Sequence, residues 1–438
     1  MYTVGLYTLG CKVSQYETEA VAEEFERRGF SVRSFDVIND VYVINTCTVT
    51  AESDAKCRKY IRRAIKKNPQ AVIAVMGCYS QREPEALRKI EGVSIIVGTQ
   101  DKMKIPSIAE DILSGKSLVP AVSVGSLKDA LFEPMTVRHA PRTRAYVKIE
   151  DGCNSKCTYC AIAAARGPVR SKKREDVIAE VEALYKSGTK EVVLTGIETA
   201  AYGKDFTDGY ILADLIDELD KRGSCQRIRL GSLAPELIDA KFIEKVKNTK
   251  ILAPHFHLSM QSGSNSVLFR MKRRYNREMA LKNIEAIREA FPTATFTTDL
   301  MVGFPGESEE DFLQTLDFLK KAKFLSSHVF QYSRRRGTEA DLFADQIPEE
   351  VKRERSKRLI EESERVRDGV LSDVLKNGKE LTVVAEERHC NTYKAHSDEF
   401  IEVSFVCERE DLQGKIIRVR PTTHKDGVMY CEIIRIEE

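Results

Sequence analysis

The sequence contains no apolar stretch that approaches the roughly 20 residues a membrane-spanning helix needs. Helical membrane anchorage is therefore excluded from its expected roles. Its opening, Met1 to Gly10, lacks the basic region of a secretory signal and alternates like a strand, which places the chain in the cytoplasm as an expectation. Charge of one sign is also missing. The 69 lysines and arginines against 67 acidic residues leave a net +2, so no global field marks a nucleic-acid binder. Contacts to phosphate have to come from local patches. What remains is ordinary for a soluble protein: 42% apolar, 31% charged, and at 438 residues enough chain for two to four domains.

Eleven cysteines in a reducing compartment point to metal ligation or catalysis, not disulfides. Three of them fall within eight residues, Cys153-Asn-Ser-Lys-Cys157-Thr-Tyr-Cys160. No second pair with zinc spacing lies nearby, so a structural zinc site lacks its other half. A disulfide would strand the third thiol. A [4Fe–4S] cube takes four ligands, normally cysteine thiolates, so three leave one iron open to a small molecule.

The first 112 residues predict a doubly wound parallel sheet. Val4 to Gly10, Val41 to Thr46 and Ala71 to Gly77 are short, apolar, β-branched runs of the kind buried parallel strands use. Helical patterns over 17–28 and 55–67 separate them. Each run leads into a cysteine, Cys11, Cys47 or Cys78, at intervals of 36 and 31 residues, about one βαβ unit each. In open α/β sheets ligands gather beyond the carboxyl ends of the strands. The spacing thus predicts three thiols converging from distant parts of the chain, whereas any one alone reads equally well as a packed core cysteine. Cys57 lies on a helix, off the pattern.

Residues 113–143, punctuated by glycine and proline, read as a linker. From 144 to 368 strands alternate with amphipathic helices. Strand candidates at 144–149, 191–194, 227–230, 255–258, 295–300 and 328–332 suit a partial (β/α)6 barrel whose site lies at the strand C-terminal ends. Those ends carry Thr195, Gly196 and Glu198, then Ser232, Gln261 and Gly303. Singly, each is as readily a turn or cap residue. Basic loops occur at the same ends: Arg166 and Arg170, Arg273 and Arg274, and Arg335. Such runs are commonly solvated faces, yet three on one rim suit phosphate contacts. Residues 369–438 divide into short strand-like pieces and predict a small antiparallel β-barrel. Within 377–438, 9 basic residues face 13 acidic ones, so RNA binding there would fall to residues such as Arg420. Cys390, Cys407 and Cys431 read as packing, and Cys225 has no assigned role.

The Cys153 stretch resembles the radical S-adenosylmethionine (SAM) enzymes. Leu9-Gly-Cys11-Lys, Asn45-Thr-Cys47 and Gly77-Cys78-Tyr resemble the N-terminal domain of the methylthiotransferases among them, and the last domain resembles the RNA-binding TRAM barrel. Tyr7 to Val13, Val43 to Thr50 and Val97 to Asp101 look like the threonylcarbamoyladenosine branch of the tRNA methylthiotransferases. The resemblance implies two [4Fe–4S] clusters, on Cys153/Cys157/Cys160 and on Cys11/Cys47/Cys78. It implies SAM chelated by the first and cleaved to a 5′-deoxyadenosyl radical, with Tyr159 along the adenine and the Gly196 motif at the methionyl amino group. It further implies sulfur held, methylated and inserted from the second. The implied substrate is tRNA carrying N6-threonylcarbamoyladenosine at position 37, with an external electron donor and a sulfur source as partners. Arg166, Arg170 and Ser171 match the family's RGxxRS element. Ala161-Ile-Ala-Ala-Ala165 departs from a run that elsewhere holds a proline and an aromatic residue. A ribosomal-protein aspartate methylthiotransferase and a non-catalytic iron–sulfur RNA sensor stand as alternatives.

Overall fold

The computed structural model describes residues 1–116, 120–139 and 143–437. Six strands form the first sheet: β1 (Thr3–Thr8), β2 (Ser31–Arg33), β3 (Val41–Thr46), β4 (Val72–Gly77), β5 (Val93–Val97) and β6 (Ala121–Ser123). Their order is β2-β1-β3-β4-β5-β6 and every pairing is parallel. The central β3 and β4 are buried along their whole length, as continuous apolar runs require. Val21 and Phe25 of helix Lys12–Arg27 pack on one face with Ile105 and Ala109. Ile61 and Ala64 of helix Ala51–Lys67 pack on the other. The sheet is therefore doubly wound. It is wider than the three-strand reading by three strands: β2 and β6, which are short and lie at the edges, and β5 between β4 and β6; β6 falls inside the stretch read as a linker.

The central unit comprises β7 (Arg144–Lys148), β8 (Glu150–Asp151), β9 (Arg170–Ser171), β10 (Glu191–Thr195), β11 (Arg227–Leu230), β12 (Ser232–Leu233), β13 (His255–Gln261), β14 (Thr295–Val302) and β15 (Ser326–Gln331). Parallel runs β7-β10-β11 and β12-β13-β14-β15 follow one another through Gly231 and a bridge between Ile228 and Leu252. β7 and β15 do not pair, which leaves one side of the barrel open. Alternation sorts the side chains. Val147, Val192, Leu194, Ile228, Leu230, Phe256, Leu258, Phe296 and Leu300 face the helices in one apolar core. The opposite face is polar: Arg144, Lys148, Glu191, Arg229, His257 and Asp299.

The last unit is a closed five-stranded barrel of β16 (Leu381–His389), β17 (Thr392–Ser397), β18 (Glu402–Val406), β20 (Val428–Ile436) and β19 (Ile416–Lys425), in that order. It corrects the wholly antiparallel expectation at one pair, since β18 and β20 run parallel. An odd number of strands closed in a ring cannot alternate direction throughout. The 397–400 turn of this barrel fills the N-terminal mouth of the central one. Arg229 donates to the Ser397 and Asp398 carbonyls at 3.1 and 3.0 Å. The Phe400 ring stacks on His255 at 4.5 Å and lies beneath the Arg229 guanidinium at 4.9 Å. Buried Glu191 stays ionised there: burial opposes its charge, and Arg229, Arg144 and Arg227 overcome it.

Candidate active site

The first sulfur trio follows from strand order. β1, β3 and β4 are neighbours, and Thr46 pairs with Gly77. Cys47 and Cys78 therefore leave adjacent strands side by side, with about 4.8 Å between the strands. Cys11 caps helix Lys12–Arg27 just past β1 and is exposed. Burial pushes Cys78 up to about 11, and the nearby Cys11 and Cys47 push the same way. Cys47 is likewise raised by burial first and by Cys11 among the charges. Cys57, buried on its helix, donates to the Cys47 carbonyl.

The second trio sits on a loop clipped at its base. β8 and β9 pair antiparallel, Glu150 with Ser171 and Asp151 with Arg170, and the loop between them carries all three cysteines. Gly152 has φ +89°, and a Cβ there would collide with the Pro168 carbonyl. The Cys153 amide donates to the Gly167 carbonyl at 3.0 Å. Thr158 ties the loop to the end of helix Asn265–Arg270, its amide to the Met271 carbonyl at 3.2 Å and its hydroxyl to the Arg270 carbonyl at 3.0 Å. Donors already point at the sulfurs. The Ser155 and Ile162 amides reach Cys153 and Cys160 at 3.4 Å, and Arg273 reaches Cys157 at 3.2 Å.

Among the described residues no three His, Cys, Asp or Glu side chains converge closely enough to chelate a single metal ion. A [4Fe–4S] cube asks for something else, since each cysteine binds a different iron and the sulfurs stay apart. All-sulfur donors with N–H groups turned toward them fit that group.

Beside the loop lies a pocket of acids. Glu150 is fully buried; its Oε2 accepts from the Glu198 amide at 2.9 Å while its Oε1 has no partner. Burial drives its carboxyl well above the ordinary range. Glu198 Oε1 accepts from the Ala234 amide at 2.9 Å, and burial pushes this acid up to about 7. Thr199 Oγ1 and Glu236 Oε2 are buried without partners in the same region. A Cβ on Gly196 would stand 2.5 Å from Glu150 Oε2, so glycine keeps the pocket open. A cationic ligand such as the SAM ammonium fits this pocket, because its charge would return the raised carboxyls to their ionised, accepting form. Tyr159, half-buried, packs on the cluster that holds Met271 and Phe304. Ser232 and Gln261 lie on β12 and at the end of β13, where the pairing register shifts.

Several expectations need correction. Arg166 is fully buried and Arg170 and Arg335 nearly so, which removes all three from an RNA-facing rim. Arg166 donates to Glu17, to Asp151 and, through Nε at 3.1 Å, to Cys78 Sγ. Arg170 pairs with Asp151 at 3.2 Å. Arg335 binds Asp54 at 2.6 Å and Thr48 at 2.7 Å, across the domain boundary. Arg273 serves the Cys157 loop instead of solvent. Gly303 has φ +70°, and a Cβ there would strike Lys352. Arg274 and Arg420 are exposed as expected. Sequence reasoning missed Glu17, Lys102, Lys148, Glu150 and Asp151. The signal available was charge inside apolar strands: Lys148, Glu150 and Asp151 interrupt the run that begins at β7.

A half-open parallel barrel, a clipped three-cysteine loop and an adjoining acid pocket define a radical SAM enzyme. The model of the Radical SAM superfamily matches residues 147–319, and that of a family described as uncharacterized, UPF0004, matches 3–98. Over all of this chain, and 98% of the relative, 42% of residues are identical to a protein of Bacillus subtilis (strain 168) named threonylcarbamoyladenosine tRNA methylthiotransferase MtaB. An Aquifex aeolicus protein of the same name is 37% identical over 95% of this chain and 99% of its own. A tRNA-2-methylthio-N(6)-dimethylallyladenosine synthase of Carboxydothermus hydrogenoformans is 34% identical over 97% and 98%. The chain belongs to the radical SAM tRNA methylthiotransferase family and is a transferase. The solved radical SAM methyltransferase TsrM of Kitasatospora setae shares the fold, with a TM-score of 0.56 over 77% of each chain at 16% identity.

Proposed function

We propose that this enzyme converts N6-threonylcarbamoyladenosine at position 37 of tRNA to its 2-methylthio form, using a [4Fe–4S] cluster on each sulfur trio. The observation that carries the two-cluster reading is the placement of Cys11, Cys47 and Cys78 at the ends of neighbouring strands, within electrostatic reach of one another. When bound, the two clusters supply an electron for SAM cleavage and a soft site for transferable sulfur. The chain's own residues do the rest. Glu198 and Glu150 offer acceptors to the methionyl ammonium, Gly196 leaves room for it, and Tyr159 flanks the adenine. Arg273 holds Cys157 by a guanidinium-to-sulfur bond.

The substrate assignment draws on the relatives named above and on Lys12. Lys12 follows Cys11, is open to solvent, and forms no ion pair among the described residues. The protein surrounding its ammonium, and then Arg229 and Arg144 of the barrel's polar inner wall, push it below the ordinary lysine range, while Asp299 of the same wall opposes them. A free cation there suits the carboxylate of a threonylcarbamoyl group and has nothing to gain from a dimethylallyl one. An external donor supplies the electron and a separate source the sulfur.

The test is anaerobic reconstitution followed by assay on tRNA bearing threonylcarbamoyladenosine. About eight irons per chain, falling to about four in a Cys153/Cys157/Cys160 triple alanine variant, is the expected content for two cubes. The acidic terminal barrel favours a protein substrate over RNA, so the ribosomal-protein aspartate reaction is assayed in parallel. Methylthio transfer to protein alone overturns the assignment.

A further inference from the structure

Arg166 belongs to the radical SAM domain, yet its Nε donates to Cys78 Sγ in the N-terminal domain at 3.1 Å. The rest of the guanidinium is locked between Glu17, which it grips with both terminal nitrogens, and Asp151 at 3.3 Å, two residues before Cys153. Around it, Lys148 reaches Glu17 at 2.9 Å and Asp151 at 2.7 Å. Lys102 reaches Glu17 and Glu133 at 3.3 and 3.2 Å, and Arg170 reaches Asp151 at 3.2 Å. Among the described residues this buried network contains four cations, Lys102, Lys148, Arg166 and Arg170, against three carboxylates, Glu17, Glu133 and Asp151. Lys102 and Lys148 already join the two domains through Glu17. The network as a whole carries one surplus positive charge, Arg166 Nε is its point of contact with sulfur, and buried positive charge is stabilised by an anionic neighbour. A neutral thiol does not provide one; a metal-bound thiolate does.

We propose that Arg166 is a positioning residue that completes the Cys11/Cys47/Cys78 site from the neighbouring domain and raises the reduction potential of the iron–sulfur group held there. The inference rests on the two-cluster reading above. Its physical basis is that hydrogen bonds to cluster sulfur and nearby positive charge both favour the reduced, more negative state.

The test uses the full-length Cys153/Cys157/Cys160 triple alanine protein, reconstituted anaerobically so that only the N-terminal site loads, with its midpoint potential followed by electron paramagnetic resonance. Arg166→Gln is expected to move the midpoint to more negative values. Arg166→Lys, which keeps the charge and loses the planar donor, is expected to fall between. Glu17→Gln disturbs the same salt bridges but removes negative charge, so its shift is expected in the positive direction. If Arg166→Gln does not fold, the double variant Glu17→Gln/Arg166→Gln removes both halves of the pair and is expected to retain a lower midpoint than Glu17→Gln alone. Equal midpoints at full iron content overturn the inference, as do shifts of one sign in both single variants, which would report mere loosening. No iron in the parent protein sinks the two-cluster reading itself, and this inference with it.

Discussion

Glu17 shows how much one side chain can carry. It is fully buried on helix Lys12–Arg27, and although burial opposes its charge, Arg166, Lys102 and Lys148 hold its carboxyl well below the ordinary range. Asp151 is held at about 2 in the same way, burial being overcome by Lys148 and Arg166. Both are depressed acids, so their stabilisation is complete above the usual carboxylate range of about 4 and fades as pH falls toward about 2. Glu17→Ala takes a shared carboxylate from three buried cations, leaving them only Glu133 and Asp151, and should cost about 3–5 kcal/mol at pH 7. Urea unfolding should show that cost shrinking toward pH 3; an undiminished cost would mean the loss is one of packing. Glu198 behaves oppositely. Burial raises it to about 7, so in the free protein it becomes an anion for the SAM ammonium only near neutrality. SAM affinity should therefore rise about tenfold from pH 6 to pH 8, and Glu198→Gln should flatten the profile. Isothermal titration of cluster-replete protein measures both. Little of this was legible in the sequence. Arg166 stood out as part of a motif, but its partner Glu17 lies 149 positions away, and burial is a property of the assembled fold.

Among elements, the clipped loop depends on one backbone conformation. Gly152→Ala would put a methyl group into the Pro168 carbonyl at φ +89°. The variant should fold, keep its circular dichroism, and lose the iron assigned to Cys153, Cys157 and Cys160, about half of the total. Full iron in that variant would show that the loop re-forms around the cluster. The strands themselves were largely legible. β3 and β4 are continuous apolar runs, and β10, β11 and β14 begin where the apolar pattern begins. β2 and β6 escaped because three-residue edge strands leave too short a pattern to separate from loop, and β5, Val93–Val97, was missed although its run Val-Ser-Ile-Ile-Val is apolar. The parallel pair in the last barrel escaped because pairing direction leaves no trace in composition. The cysteine spacing was informative for a structural reason: equal βαβ units return the chain to the same edge of the sheet.

For the molecule as a whole, the terminal barrel acts as a stopper as well as a candidate RNA contact. Phe400, half-buried between His255, His396 and the Arg229 guanidinium, closes the mouth opposite the sulfur trios. Phe400→Ala should lower stability by about 2 kcal/mol and should let water reach Glu191 and its three arginines. Faster hydrogen exchange at β10 and β11 is the matching observation. Exchange confined to the terminal barrel would mean that the mouth is sealed by the backbone contacts of Ser397 and Asp398 instead.

The charge lock between the first two domains also limits how such proteins can be recombined. A chimaera that takes its N-terminal sheet from one homologue and its barrel from another inherits half a lock from each parent. Unless the donor sheet brings a carboxylate at the place of Glu17, the barrel's Arg166 and Lys148 are left to share Asp151 as their counter-charge at the seam. Swapping at this joint therefore succeeds or fails on a few buried residues, whatever the overall likeness of the two parents.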